Sequence, residues 1–115
     1  MTKLDDEIIP YSGLDFQADG SAVITRSDKS IEPEVASGLL MRVVRRAAEA
    51  AADGSEVKPV TVNVNVTGPV NSGADVCFSA EIDRRTRTLV FASGAATVGG
   101  KIALAVTAVY RIIEA

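Results

Sequence analysis

Histidine is absent from the 115-residue sequence. The chain therefore cannot provide a Ser-His-Asp or Cys-His arrangement for nucleophilic catalysis. A zinc site would have to combine one cysteine with carboxylates, which is a poor ligand set for that metal. Carboxylates, hydroxyls and backbone amides remain as the groups available for chemistry.

Cysteine is represented once, by Cys77, so no internal disulfide can form. This agrees with a reducing compartment, and we expect a cytoplasmic location. Cys77 lies in an apparent strand, where we expect a small buried hydrophobic residue rather than a reactive thiol.

Long apolar runs are also missing. The longest uncharged stretches, at about residues 59–73 and 88–100, contain Asn, Ser, Thr or Gly throughout, so neither could span a membrane. Residues 2–7 are acidic and lack the apolar run of a signal peptide. The net charge of −3 makes general nucleic-acid binding a poor expectation. We expect neither a membrane nor a nucleic acid as partner.

Length and composition favour one globular domain over residues 1–115. Apolar residues make up 47% and charged residues 23% of the chain, as in average globular proteins. At this length there is no room for a second core. We take residues 1–12 as an N-terminal lead-in.

Helical spacing of apolar residues predicts one amphipathic helix over residues 31–52. Pro33 suits its first turn, and Asp53-Gly54 predicts its end. The polar side of this helix carries a basic cluster, Arg42, Arg45 and Arg46. The apolar positions recur at intervals of three and four residues: Val35, Ala36, Leu39, Leu40, Val43, Val44, Ala47, Ala48 and Ala51.

Alternation of apolar and polar residues predicts strands elsewhere in the chain. Asp19-Gly20 predicts a tight turn within a hairpin, or a strand entered by a turn, in residues 13–27. After Lys58, four alternating segments joined by short turns predict an antiparallel meander over residues 58–113. One long helix against one sheet gives an α+β fold.

Four segments carry a resemblance to a known family. They are residues 59–75 (PVTVNVNVTGPVNSGAD), 83–91 (DRRTRTLVF), 99–103 (GGKIA) and 107–112 (TAVYRI). Together they resemble small acyl-CoA thioesterases of the hotdog superfamily, over residues 14–113. The resemblance implies one long helix wrapped by a curved antiparallel sheet of about five strands. It also implies dimers joined at sheet edges, which often pair into tetramers.

The resemblance implies a ligand site at the dimer joint, for an acyl-CoA or acyl-phosphopantetheine thioester. No separate cofactor is required, because the coenzyme A moiety is part of the substrate. The pantetheine arm would pass one subunit's helix start and the other subunit's strands. Basic residues near the turn before Leu89 would meet the phosphates, which assigns binding to Arg84, Arg85, Arg87 and Thr88. A solvated charged turn is an equal alternative for this cluster.

The catalytic residues implied by the resemblance are only partly matched. Many relatives have a His-Gly-Gly turn before the helix, where this chain has residues 30–38 (SIEPEVASG). The family's helix carboxylate falls near Met41, Arg42 or Arg45, none of which is a base.

The remaining catalytic candidates are two acids, two small residues and an amide. Glu34 or Glu32 could act as general base, or could simply complement the helix dipole. Ser37 and Gly38 could donate to a thioester carbonyl, or could serve close packing. Asn65, like Asn63, could bind a carbonyl or hold a water, or could face solvent on a half-buried strand.

These features favour a thioesterase that acts without histidine. A hotdog protein that binds acyl-CoA but has lost the catalytic carboxylate is the alternative. A hotdog dehydratase is weaker, because such enzymes pair an acid with a histidine.

Overall fold

The computed structural model describes residues 15–16, 21–24, 32–68 and 76–113. Its elements are one helix, α1, and six strands, in chain order: β1 (Asp15–Phe16), β2 (Ala22–Ile24), α1 (Pro33–Ala51), β3 (Glu56–Val66), β4 (Val76–Arg85), β5 (Leu89–Val98) and β6 (Lys101–Ile113). All strands belong to one antiparallel sheet of order β1-β2-β4-β5-β6-β3, and α1 packs on one face of it.

Helix α1 follows the predicted apolar spacing and begins at Pro33, whose fixed φ suits a first turn. Its predicted end at Asp53-Gly54 is confirmed. The Asp53 amide donates to the Ala50 carbonyl at 3.2 Å, and the Gly54 amide donates to the Glu49 carbonyl at 2.8 Å. Both turn residues have positive φ, 58° for Asp53 and 85° for Gly54. The chain thereby reverses into β3.

The strand order corrects the predicted four-strand meander. Only β4, β5 and β6 follow one another in the sheet, whereas β3 pairs with β6 and forms an edge. Alternation of apolar and polar residues identifies a strand, but it does not depend on which strand lies beside it. The pattern therefore could not show that β3 pairs with β6 and not with β4. Within the described residues, the sheet has four long strands and two short ones, against about five expected.

The short strands β1 and β2 confirm the predicted hairpin near the N-terminus. Asp15 pairs with Val23, and Phe16 pairs with Ala22. The Asp19-Gly20 turn lies outside the described residues. So do the lead-in at residues 1–12 and Ile31, the expected first residue of the helix.

The core lies between α1 and the middle of the sheet, where Gly94 permits a close approach. A Cβ atom at Gly94 would lie 2.5 Å from Val44 Cγ2 and 2.8 Å from the Ser79 carbonyl oxygen. The buried residues come from α1, its C-cap and strands β3 to β6: Val35, Ala36, Leu39, Leu40, Val43, Val44, Ala48, Ala52, Val57, Val76, Phe78, Val90, Ala92, Ala96, Ala103, Leu104, Val106, Ala108 and Tyr110.

Cys77 is exposed, so the expectation of a buried cysteine is wrong. Its strand neighbours Val76 and Phe78 are both fully buried against the helix. Successive side chains of a strand point to opposite faces, which turns Cys77 away from α1. We call the side of the sheet that faces away from α1 the outer face.

Candidate functional site

An uncovered apolar strip lies on the edge strand β3, on the same side of the sheet as α1. We define it as Val62, Val64 and Val66, which pair with the buried residues Ala108, Val106 and Leu104 of β6. Val64 is nevertheless 39% exposed and Val66 55% exposed. The helix packs mainly over β4 and β5. Val62 still packs against the core, so the exposed part of the strip is Val64 and Val66.

Within the described residues, the first backbone amides of α1 have no acceptor. The first intrahelical bond runs from the Ala36 amide to the Glu32 carbonyl at 2.9 Å. Pro33 has no N–H, and the amides of Glu34 and Val35 precede that bond, so the helix itself offers them no acceptor. The Glu32 side chain makes no capping hydrogen bond. The positive end of the helix dipole lies at these amides and favours a negative charge there.

Ser37 and Gly38 lie half-buried in the second turn of α1. Leu40 and Val44, near the middle of α1, pack against Gly94 of β5. Gly94 pairs with Val106 of β6, which in turn pairs with Val64 of β3. Glu32 is the N-cap of α1 and Glu34, Ser37 and Gly38 share its first two turns, while Val64 and Val66 lie on the edge strand β3.

Asn65 does not join this group within one subunit. It pairs with Ala105, and Asn63 pairs with Thr107, so both amides lie on the outer face. Both are exposed. The sheet separates Asn65 from Glu34 and Ser37 of the same chain.

The turn between β4 and β5 is organised by Thr86. Its amide donates to the Leu89 carbonyl at 2.8 Å, and its Oγ1 accepts the Leu89 amide at 3.0 Å. Arg87 and Thr88 are exposed at the tip of this turn. Both are therefore accessible to an anion from solvent.

The arginines that precede this turn diverge. Arg84 lies with its Cζ 5.9 Å from the centroid of the Phe91 ring, on the outer face. Arg85 points to the helix side, where its Nη2 lies 3.8 Å from Asp53 Oδ2 in an exposed ion pair. One phosphate cannot be held by Arg84 and Arg85 together in this arrangement.

The two halves of the predicted site lie at opposite ends of one subunit. Asp53 follows the last turn of α1, so its contact with Arg85 places the arginines at the helix C-terminus. The 19 residues of α1 give a helix about 28 Å long. Glu32 and Glu34 lie at the far end of that length.

Two cations near this turn were missed by the sequence analysis. Lys58 of β3 and Arg111 of β6 are direct partners in the sheet, and both are exposed on the outer face. The signal for them is the pairing of Lys58 with Arg111, and the predicted meander did not place their strands side by side. We define the outer cationic patch as Lys58, Arg84, Arg87 and Arg111.

Arg45 connects α1 to the edge strand. It donates from Nη2 to the Val57 carbonyl oxygen at 2.8 Å, and its Nε lies 3.7 Å from Glu49 Oε2. Beside it, burial raises the pKa of the Tyr110 hydroxyl, an effect that the Arg45 charge opposes and the Glu49 charge reinforces. Arg45, one of the three positions at which the resemblance implies a helix carboxylate, is thus a structural guanidinium in this chain.

No family model matches the sequence, and no curated protein matches it. Solved structures do match. A phenylacetic acid degradation-related protein from Ralstonia eutropha JMP134 aligns with a TM-score of 0.76 and 19% identity, over 91% of this chain and 89% of that one. Zebrafish thioesterase superfamily member 2 aligns with a TM-score of 0.72 and 17% identity, over 87% and 80%. A Bacillus halodurans protein crystallised with CoA aligns with a TM-score of 0.76 and 10% identity, over 96% of this chain and 85% of that one.

These similarities confirm the predicted fold class, a hotdog fold with one long helix against a curved antiparallel sheet. Among the described residues, no helix is long and apolar enough to cross a membrane. No cluster of three acidic, cysteine or histidine ligands lies within that part of the chain either.

Proposed function

We propose that the protein hydrolyses an acyl thioester, carried on coenzyme A or on phosphopantetheine, at a site formed where two copies join along β3. The observations that carry this proposal are the first amides of α1, which have no acceptor among the described residues, and the exposed Val64 and Val66 on the edge strand β3. An edge strand leaves backbone groups unpaired, and a second copy would cover both these groups and the valines.

Glu34 or Glu32 serves as general base and takes a proton from water as the water attacks the thioester carbonyl. The amides of Glu34 and Val35, with the Ser37 hydroxyl, stabilise the oxyanion. The Gly38 amide lies within the helix and already has an acceptor there. Gly38 therefore contributes by its small size, which leaves room for the acyl group. Asn65 has no role in the same subunit.

A two-fold axis perpendicular to β3 would account for the separation of the two halves of the site in one chain. Antiparallel pairing of two β3 strands places the helix start of one copy towards the helix C-terminus of the other. The thioester would then meet Glu34 of one copy, and the phosphates would meet Arg87 and Thr88 in the β4–β5 turn of its partner. Arg84 lies on the outer face, so it does not share the side of the sheet that carries Glu34. Arg85 stays with Asp53. The coenzyme A moiety belongs to the substrate, and no further cofactor is invoked.

Release of free thiol from a panel of acyl-CoA esters tests the activity. We expect turnover with the unaltered protein and a fall in kcat of about a hundredfold or more when the general base is removed. The variants are Glu34→Gln and Glu32→Gln. The matched control is Glu81→Gln, because Glu81 is an exposed acid on strand β4, away from the helix start. No thiol release above background, from acyl-CoA esters or from acyl groups on a phosphopantetheine carrier, would remove the hydrolase proposal.

One observation favours a second function, binding without turnover. All the aspartates and glutamates among residues 32–68 and 76–113 are at least partly exposed, and Glu32 and Glu34 are both exposed. Neither of these two carboxylates is enclosed away from water in the single subunit. Thermal stabilisation by CoA esters without thiol release would support a binding protein. Turnover that depends on Glu34 or Glu32 would exclude it.

A further inference from the structure

The outer cationic patch contains an unfavourable pair. Lys58 and Arg111 face each other directly on β3 and β6, and both are exposed. Like charges opposite one another in neighbouring strands destabilise a sheet. The chain has 15 acidic and only 12 basic residues, so this concentration of cations runs against its overall balance. An anionic partner would offset the repulsion.

The patch crosses the sheet from edge to turn. Lys58 lies on the edge strand β3, Arg111 on β6, Arg87 in the β4–β5 turn and Arg84 at the end of β4. With strands about 4.8 Å apart, three strand spacings cover about 14 Å. Two acids approach this region: Glu56 lies two residues before Lys58 in β3, and Asp83 accepts a hydrogen bond from Ser93 Oγ at 3.1 Å.

The form of this surface fits a protein better than a small molecule. Small ligands bind in concave sites with a few convergent polar groups. The patch residues are instead exposed side chains on the outside of a sheet. The depression of about 380 Å³ at this end is lined by Asp53, Gly54, Ser55, Glu56 and Ile113, so its charged groups are carboxylates that repel phosphate.

We propose that the outer cationic patch docks the acidic surface of a carrier protein that presents the acyl group on phosphopantetheine. This inference rests on the proposed thioester site and selects a carrier protein over free acyl-CoA as its partner. The net charge of −3 does not prevent such docking, because fields are screened over about 8 Å at physiological salt. At that range the partner meets the four cations rather than the whole chain.

The position of the patch agrees with delivery to a joint between two copies. Lys58 lies on β3, the edge along which the second copy is proposed to join. The patch also lies at the helix C-terminal end, which antiparallel pairing places towards the helix start of the other copy. The patch lies on the outer face, so the flexible arm of a docked carrier would pass the ends of the strands to reach the helix side.

The test measures the affinity of a bacterial holo-acyl carrier protein and, separately, of CoA. The double variant Lys58→Glu, Arg111→Glu reverses the facing pair. Its matched control, Arg42→Glu with Lys101→Glu, makes the same change in net charge at exposed sites outside the patch. A neutral version, Lys58→Gln with Arg111→Gln, removes the repulsion without adding charge, so its folding is not at risk.

We expect the double Glu variant to bind the carrier protein at least about tenfold more weakly, and the neutral version to fall between it and the unaltered protein. The control should stay within about twofold, and CoA affinity should change by no more than that in any variant. Carrier affinity should also fall as salt rises. The docking proposal fails if the unaltered protein does not bind the carrier, if the control loses as much affinity, or if CoA affinity falls in parallel.

Binding and turnover separate this inference from the proposed function. Patch-dependent carrier binding without thioester hydrolysis would overturn the hydrolase and support the docking surface. Hydrolysis of acyl-CoA without patch-dependent carrier binding would overturn the docking surface alone.

Discussion

Gly94 shows how one residue sets the distance between the helix and the sheet. A Cβ there would collide with a backbone oxygen, that of Ser79, as well as with Val44. A carbonyl in a paired strand cannot move as a side-chain end can, so the pairing of β4 with β5 would have to shift as well as the helix contact. Gly94 is therefore a packing requirement rather than a turn residue.

We expect Gly94→Ala to lower the free energy of unfolding by about 1–3 kcal/mol, the usual cost of overpacking a core. Denaturant unfolding followed by circular dichroism measures it. Gly68→Ala is the control, because an added methyl group at Gly68 would meet no atom within 4 Å and the φ of Gly68 is not positive. Equal stability of the two variants would contradict the close approach.

Tyr110 should make stability depend on alkaline pH. Burial raises its pKa above the ordinary value of 10.0, so the folded state holds the phenolic proton more tightly than the unfolded chain does. Its contribution is complete below pH about 10 and is lost as pH rises through the raised pKa. In the Tyr110→Phe variant, the free energy of unfolding should fall less steeply as the pH rises above about 10.

Denaturant titrations at a series of alkaline pH values check this expectation. Tyr11→Phe is the control, because it removes the other tyrosine and keeps Tyr110. If both variants lose stability with pH as steeply as the unaltered protein, the assignment to Tyr110 is wrong.

Residue-level prediction from the sequence worked where one face of an element decides the outcome. The buried positions of α1, such as Leu39 and Val43, were expected from helical spacing. The prediction for Cys77 is wrong because its strand neighbours Val76 and Phe78 occupy the face towards the helix, which leaves Cys77 on the opposite face. Lys58 and Arg111 were missed because their pairing depends on strand order, which alternation does not encode.

At the scale of elements, the junction between α1 and β3 can be tested. Asp53 adopts the left-handed conformation, with φ of 58°, at a position where glycine is the usual residue. Its carboxylate also lies at the negative end of the helix dipole, and its ion pair with Arg85 is too exposed to compensate. Asp53 is held in this conformation by the two backbone hydrogen bonds that end the helix, which the amides of Asp53 and Gly54 donate.

We expect Asp53→Gly to raise the free energy of unfolding by about 0.5–1 kcal/mol, since glycine adopts this conformation without strain. Asp53→Ala is the comparison, because it removes the same carboxylate and keeps a Cβ. Thermal or denaturant unfolding should rank the glycine variant above both the alanine variant and the unaltered protein. An alanine variant as stable as the glycine variant would show that the charge, and not the conformation, matters.

The elements themselves were predictable, and their arrangement was not. Caps, turns and apolar period are local, so the end of α1 and the strands after Lys58 could be inferred from neighbouring residues. The return of β3 to pair with β6 is a long-range choice between equally alternating strands. The candidate site inherits this limit, since its acids and its arginines belong to opposite ends of the subunit.

For the whole molecule, the open edge of β3 decides whether the proposed site exists. Val64 and Val66 are exposed beside fully buried neighbours, which is costly for a lone subunit and favourable for a second copy. Full burial of one valine is worth about 1.5–3 kcal/mol. A charge placed in the strip would forfeit that gain and would also have to be desolvated.

We therefore expect Val64→Lys to weaken self-association by at least about tenfold, since 1.4 kcal/mol corresponds to a factor of ten. Light scattering across a concentration series measures the shift from dimer to monomer, and thiol release should fall with it. Thr107→Lys is the matched control, because Thr107 is exposed on the outer face of β6 and away from the joint. An unaltered protein that stays monomeric, or a Val64→Lys variant that stays dimeric, would remove the joint along β3. The site shared between two copies would fall with it, whatever the isolated subunit binds.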